Sequence, residues 1–169
     1  MKKKMERYLL GYRKAKAVEE KYGLKVMLGI EIGLIPNPEE YLIYGIDEAF
    51  LMQHPNLCCM SQKEIYQLCH SYGAVLYQAH PFRDPCRPQD PAFLDGVEYN
   101  QRPDSGNHNE KLTIWLKSYP NMKCISGSDC HTLGQVGFGG IETEQPVSSI
   151  KQLAKLLKST QVKLIISQA

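Results

Sequence analysis

Four side chains in this sequence could do chemistry together: Glu31 in LGIEIGL, His80 in YQAHP, and Asp129 and His131 in GSDCH. Each closes or interrupts an apolar run. Carboxylates and imidazoles in this mixture are the ligand types of zinc, manganese or iron in a hydrolytic site. Such an ion lowers the pKa of a bound water to about 7 and polarises a phosphoryl oxygen, so no activated side-chain nucleophile is needed. Within Asp129-Cys130-His131 the spacing of two aims both outer side chains to one side if the backbone is extended. Each residue also has an ordinary role open to it: Glu31 in a solvated salt bridge, His80 closing a loop before Pro81, Asp129 capping a helix.

Arg83, three residues after His80, is the best candidate for a phosphate, because a guanidinium offers paired donors to two phosphate oxygens. Exposure in a loop, or pairing with Asp84, is its ordinary alternative. Arg102 has a weaker claim, and His54 precedes a proline in a short helix or loop. His70 and His108 fall on helical patterns, where surface or interfacial roles are expected.

The elements that must position these residues follow from periodicity. Met5, Tyr8, Leu9, Tyr12 and Ala15 recur at three- and four-residue steps, predicting an amphipathic helix that stops at Gly23. Leu24 to Leu34 then reads as a buried strand, polar only at Lys25 and Glu31. Ser61 and Glu64 form a capping box that opens a helix ending at Gly73, and Ala74 to Pro81 is a second buried strand. Further strands are expected over Tyr41–Ile46, Gly96–Tyr99, Lys123–Gly127 and Lys163–Ser167, with helices near Asn107–Ser118 and Ser148–Lys158. This alternation predicts a parallel α/β sheet, open or closed into a barrel, whose strand ends bring Glu31, His80, Asp129 and His131 to one mouth. Four prolines between Pro81 and Pro91 make that stretch a long loop after the strand ending in His80.

Composition narrows the classes. A chain of 169 residues, 43% of them hydrophobic, suffices for a single domain spanning 1–169. A formal net charge of +2 gives no general reason to expect nucleic acid or a membrane surface as partner. With no apolar leader or spanning segment, a cytoplasmic protein is expected. The six cysteines show no CxxC pair, which excludes a zinc ribbon or a thioredoxin-like motif and points to free thiols.

GIEI at Gly29–Ile32, AHPF at Ala79–Phe82, GVEYN at Gly96–Asn100 and GSDCH at Gly127–His131 resemble, in order, the later motifs of the PHP (polymerase and histidinol phosphatase) family of metal-dependent phosphoesterases. The resemblance implies a distorted β/α barrel with a site for up to three metals. It also implies roles: Glu31 as a bridging carboxylate, and His80, Asp129 and His131 each as a metal ligand. Arg83 would bind substrate, and the cofactor would be a divalent zinc, manganese or iron.

The chain departs from the family pattern, because it has no histidine before His54 and so lacks the early His-x-His segment. Where the family has a further ligand histidine, Asp47 and Glu48 stand instead. The expectation is an incomplete barrel of the PHP type, missing its first two strands, with weakened or absent metal. Its uncovered edge and interior invite another chain or the N-terminal helix. The function expected is hydrolysis of a small phosphorylated substrate. The alternatives are a non-catalytic remnant and a half-barrel completed by a partner or a second copy.

Overall fold

The computed structural model describes residues 2–166, with side chains from Met5 onward. Five strands form one mixed sheet in sequence order: β1 (Gly29–Gly33), β2 (Glu40–Tyr44), β3 (Val75–Gln78), β4 (Gly96–Asn100) and β5 (Lys123–Gly127). β1 pairs antiparallel with β2 and β2 antiparallel with β3, whereas β3–β4 and β4–β5 are parallel. The wholly parallel sheet expected from the sequence is therefore corrected at β2. A connection from Leu34 to Glu39 is too short to cross over the sheet, so β2 must run back against β1. Among the described residues the sheet does not close into a barrel.

The antiparallel reversal is undone at β3, so β1, β3, β4 and β5 all point the same way. Their carboxyl ends share one edge with the amino end of β2. Alternation along each strand separates two faces. Ile30, Ile32, Tyr41, Ile43, Leu76, Val97 and Tyr99 belong to the larger core. That core also takes in Phe50 and Leu51 of α3 (Glu48–Gln53), Ile65 and Cys69 of α4 (Gln62–Ser71) and Leu112 of α5 (Asn109–Leu116). Leu42, Tyr44, Val75, Tyr77 and Ile125 point the other way and form a smaller core with Ala154 and Leu157 of α6 (Ile150–Ser159). β6 (Gly139–Glu142) and β7 (Lys163–Ile166), joined through α6, pair antiparallel as a separate two-stranded sheet next to β5.

The N-terminal region differs from the single helix expected. It breaks into α1 (Lys2–Tyr8), α2 (Leu10–Lys16) and a 3-10 turn over Glu20–Tyr22, with Gly23 in the left-handed conformation at φ 64°. Leu9 at the break is buried in the larger core. The N-terminal helices thus lie on the larger core's side, and it is α6 that packs on the other face of the sheet. The strand expected from Leu24 is shorter, because β1 is an edge strand whose approach is exposed: Leu24 is 66% accessible. The capping box at Ser61 forms as expected, with the Ser61 side chain accepting from the Glu64 amide. The expected strand end at Ser167 lies outside the described residues.

No helix among the described residues is long and apolar enough to cross a membrane.

Candidate metal centre

The carboxyl-end edge of the sheet is polar on the face that carries the smaller core. Glu31 lies opposite Leu42 and Gly33 opposite Glu40, so Glu31 and Glu40 are diagonal neighbours on one face. Tyr41 pairs with Gln78 and the Ala79 amide donates to the Glu40 carbonyl, which brings His80 alongside Glu40. The His80 ring is buried, and its Nε2 lies 3.3 Å from Glu31 Oε1 and 3.1 Å from Glu40 Oε2. The two carboxylates are 40% and 44% exposed, so the cluster opens to solvent. One donor atom from each of Glu31, Glu40 and His80 falls within 4.8 Å of the others.

His80 has φ 27°, a left-handed value that a non-glycine residue adopts at a cost of about 1 kcal/mol or more. Several contacts hold it there. Its amide donates to Glu98 Oε2 at 3.3 Å, Cys86 Sγ lies 4.0 Å from its Nδ1, and the Arg83 amide donates to its carbonyl. The proline-rich loop is tied back by the Gln89 amide donating to Gln78 Oε1 and by the Arg87 amide donating to Glu39.

Glu98, from GVEYN, is a buried carboxyl whose pKa is pushed up by burial, against hydrogen bonds from Asn100 and His80 that favour its charge. Asn100 Nδ2 donates to Glu98 Oε2 at 3.0 Å. Across the β4–β5 pair Gly127 makes room for this carboxyl: a Cβ at Gly127 would collide with Glu98 Oε1. The glycine of GSDCH is therefore set by its neighbour strand.

The second half of the mouth is built differently. Arg83 Nη2 donates to Asn100 Oδ1 at 2.9 Å and to Asp129 Oδ2 at 2.6 Å, while its Nε donates to Asn107 Oδ1 at 2.8 Å. Arg102 Nη1 approaches Asp129 Oδ2 at 3.8 Å and His131 Nε2 at 3.4 Å. His131 Nδ1 lies 2.9 Å from the Asp129 carbonyl, which assigns the proton to Nδ1 and the lone pair to Nε2.

Asp129 has φ 44°, so the segment is not extended and the alternation expected of Asp129 and His131 does not hold. The Asp129 carboxylate turns inward, 8% exposed, and the His131 ring turns outward, 56% exposed.

Of the residues singled out from sequence, the structure brings Glu31 and His80 together and joins Asp129, His131 and Arg83 in a neighbouring network. Glu98 and Asn100 link the two. Glu40 and Glu98 went unread in the sequence. The signal for Glu40 was present: a connection as short as Leu34–Glu39 forces an antiparallel return, which puts the start of β2 beside the end of β1.

Asp47 and Glu48 are remote in role, since β2 ends at the opposite edge. Asp47 caps α3 through the Phe50 amide, and Glu48 pairs with Arg13. His54 packs against Phe50 and Tyr72. His70 pairs with Asp95, and His108 lies between Asp84 and Glu110. The six cysteines are free thiols.

Residues 106–162 match a family described as PHP-associated. No curated protein matches the sequence. The fold is similar to the crystal structure of PsfC from Pseudomonas syringae PB-5123, with a TM-score of 0.68 and 19% identity over 86% of this chain and 61% of that one. It is also similar to the lesion-specific endonuclease PfuEndoQ from Pyrococcus furiosus, with a TM-score of 0.59 and 14% identity over 84% of this chain and 41% of that one. The chain thus spans less than two thirds of the length of either protein.

Proposed function

We propose that the chain is a PHP-type phosphoesterase that hydrolyses a phosphate ester using a divalent transition metal, a reading supported by the PHP-associated match over 106–162 and by the fold. The observation that carries this reading is the convergence of Glu31, Glu40 and His80 donor atoms within 4.8 Å. Two carboxylates and one imidazole, open to solvent on one side, fit zinc, manganese or iron with a coordination position to spare. When bound, such an ion supplies a Lewis acid for the phosphoryl group and activates water.

The chain's own residues do the rest. Glu31 and Glu40 bring the negative charge, and the contacts to Glu98 and Cys86 fix the His80 ring so that Nε2 faces the carboxylates. Arg102, a third exposed, and Arg83, through its remaining Nη1, supply the positive field that holds a phosphate oxygen. Glu98 and Asn100 carry the connection between the two groups without facing solvent.

We read the sheet as an arc of a PHP-type β/α barrel, open at β1, with the site on what would be the barrel's inner face. A small phosphorylated metabolite is the favoured substrate class. PfuEndoQ is described as an endonuclease, but a net charge of +2 gives no general electrostatic reason to expect a nucleic acid here.

The test is direct. Chelator-stripped protein is titrated with Mn²⁺ or Zn²⁺ and assayed on p-nitrophenyl phosphate and its bis ester. Binding and turnover should both fall at least about tenfold in Glu31→Gln and in Glu40→Gln. Wild-type protein that neither takes up an ion nor hydrolyses either ester would rule the proposal out.

A further inference from the structure

Arg83 stands where a second ion would have to compete. Its guanidinium is surrounded by three oxygens from three separate segments: Asn100 Oδ1 at the end of β4, Asn107 Oδ1 in the loop before α5, and Asp129 Oδ2 after β5. Carboxylate and amide oxygens gathered around one positive charge are what a hard divalent cation also requires.

These oxygens are held by contacts that do not involve Arg83. Asn107 Nδ2 donates to the Asn100 and Arg102 carbonyls at 3.1 and 3.0 Å, and Asn100 Nδ2 donates to Glu98. The Arg102 amide donates to Asn100 Oδ1, and Asp129 Oδ1 faces His131 Nδ1 at 3.3 Å. The Arg83 and Asp129 side chains are 16% and 8% exposed, so little water screens their pairing. Arg102 adds a second positive charge 3.8 Å from the same carboxylate. The His131 lone pair on Nε2 is directed at Arg102.

We propose that Arg83 is a built-in cation in this half of the mouth, so that the protein takes a divalent ion at Glu31, Glu40 and His80 and none at Asp129 and His131. One carboxylate already faces two guanidinium groups, and an added divalent ion would meet net positive charge. The one-ion half of this statement rests on the metal centre proposed above; the displacement of an ion by Arg83 does not. Toward the ions Arg83 acts through Asp129 and Asn100, by its Nε and Nη2, which leaves Nη1 for the phosphate.

The experiment counts ions. Chelator-stripped wild type, Asp129→Asn, Arg83→Met and the pair Arg83→Met/Asp129→Asn are titrated with Mn²⁺, followed by calorimetry and by the loss of free-ion paramagnetic signal. Wild type and Asp129→Asn should each take one ion with affinities within about twofold of each other. Arg83→Met should take a second, and the pair should return to one. A drop of about tenfold or more in Asp129→Asn, or an Arg83→Met variant that gains no ion, overturns the inference.

If Asp129→Asn does not fold because Arg83 has lost its partner, wild type is compared with the pair, from which both charges are gone. Equal ion counts uphold the inference, and a lower count in the pair overturns it. Should wild type take no ion, the proposed metal centre fails. An ion gained by Arg83→Met and lost again in the pair still upholds the role of Arg83.

Discussion

The two halves of the mouth use similar residues to opposite ends. On one side Glu31, Glu40 and His80 converge two carboxylates and a ring nitrogen, with no lysine or arginine paired to them among the described residues. On the other, Asp129 and His131 meet Arg83 and Arg102. Ligand-type side chains at the same sheet edge therefore do not define a metal site by themselves. What decides is whether a positive charge is already bound among them, and burial makes that decision firm. The Arg83–Asp129 pair is mostly shielded from water, where breaking it leaves an uncompensated charge, whereas the two glutamates are solvated enough to exchange partners.

The largest effect expected from a test of this contrast comes from His80→Ala. It removes the one buried donor of the proposed metal centre, a ring packed beside Cys86. Ion affinity should fall at least about 100-fold and the ion-free fold should lose about 2–4 kcal/mol, read by titration and by melting in chelator. If His80→Ala keeps wild-type ion binding, the acidic half is not the metal centre.

Next comes Gly127→Ala, which drives a methyl group into the Glu98 carboxyl that links the two halves. A loss of about 1–3 kcal/mol is expected, with weaker ion binding through displaced His80. A variant that melts like wild type would show that Glu98 does not sit over Gly127.

The smallest effect is a pH dependence. Burial raises the Glu98 pKa in the folded state, so between the ordinary glutamate value and the raised one the folded chain holds a proton that the unfolded chain has lost. Stability of ion-free protein should therefore fall as pH rises through that interval, and Glu98→Gln should flatten the fall. Equal slopes for the two proteins would show that Glu98 titrates as an ordinary surface carboxyl.

Much of this was legible in the sequence. The capping box at Ser61, the buried run of β3 and the loop imposed by the prolines after His80 all follow from local propensity and pattern, which neighbouring strands do not alter. Strand direction was not legible from apolar runs alone, and the antiparallel β2 puts Asp47 and Glu48, which stand where the resembled family has a ligand histidine, at the edge away from His80. β6 also escaped notice, because a glycine-rich tetrapeptide gains its strand character by pairing with β7.

By itself the sequence determined the ligand-type residues Glu31, His80, Asp129 and His131, the α/β class and the motifs that resemble those of the PHP family. Tertiary structure alone decided which of those residues converge on one another and which share an arginine. Register and direction of β2 brought Glu40 beside Glu31, and a left-handed turn at Asp129 aimed its carboxylate at Arg83. Both depend on segments distant in the chain meeting across the sheet, and charge pairing is set by those meetings rather than by residue type.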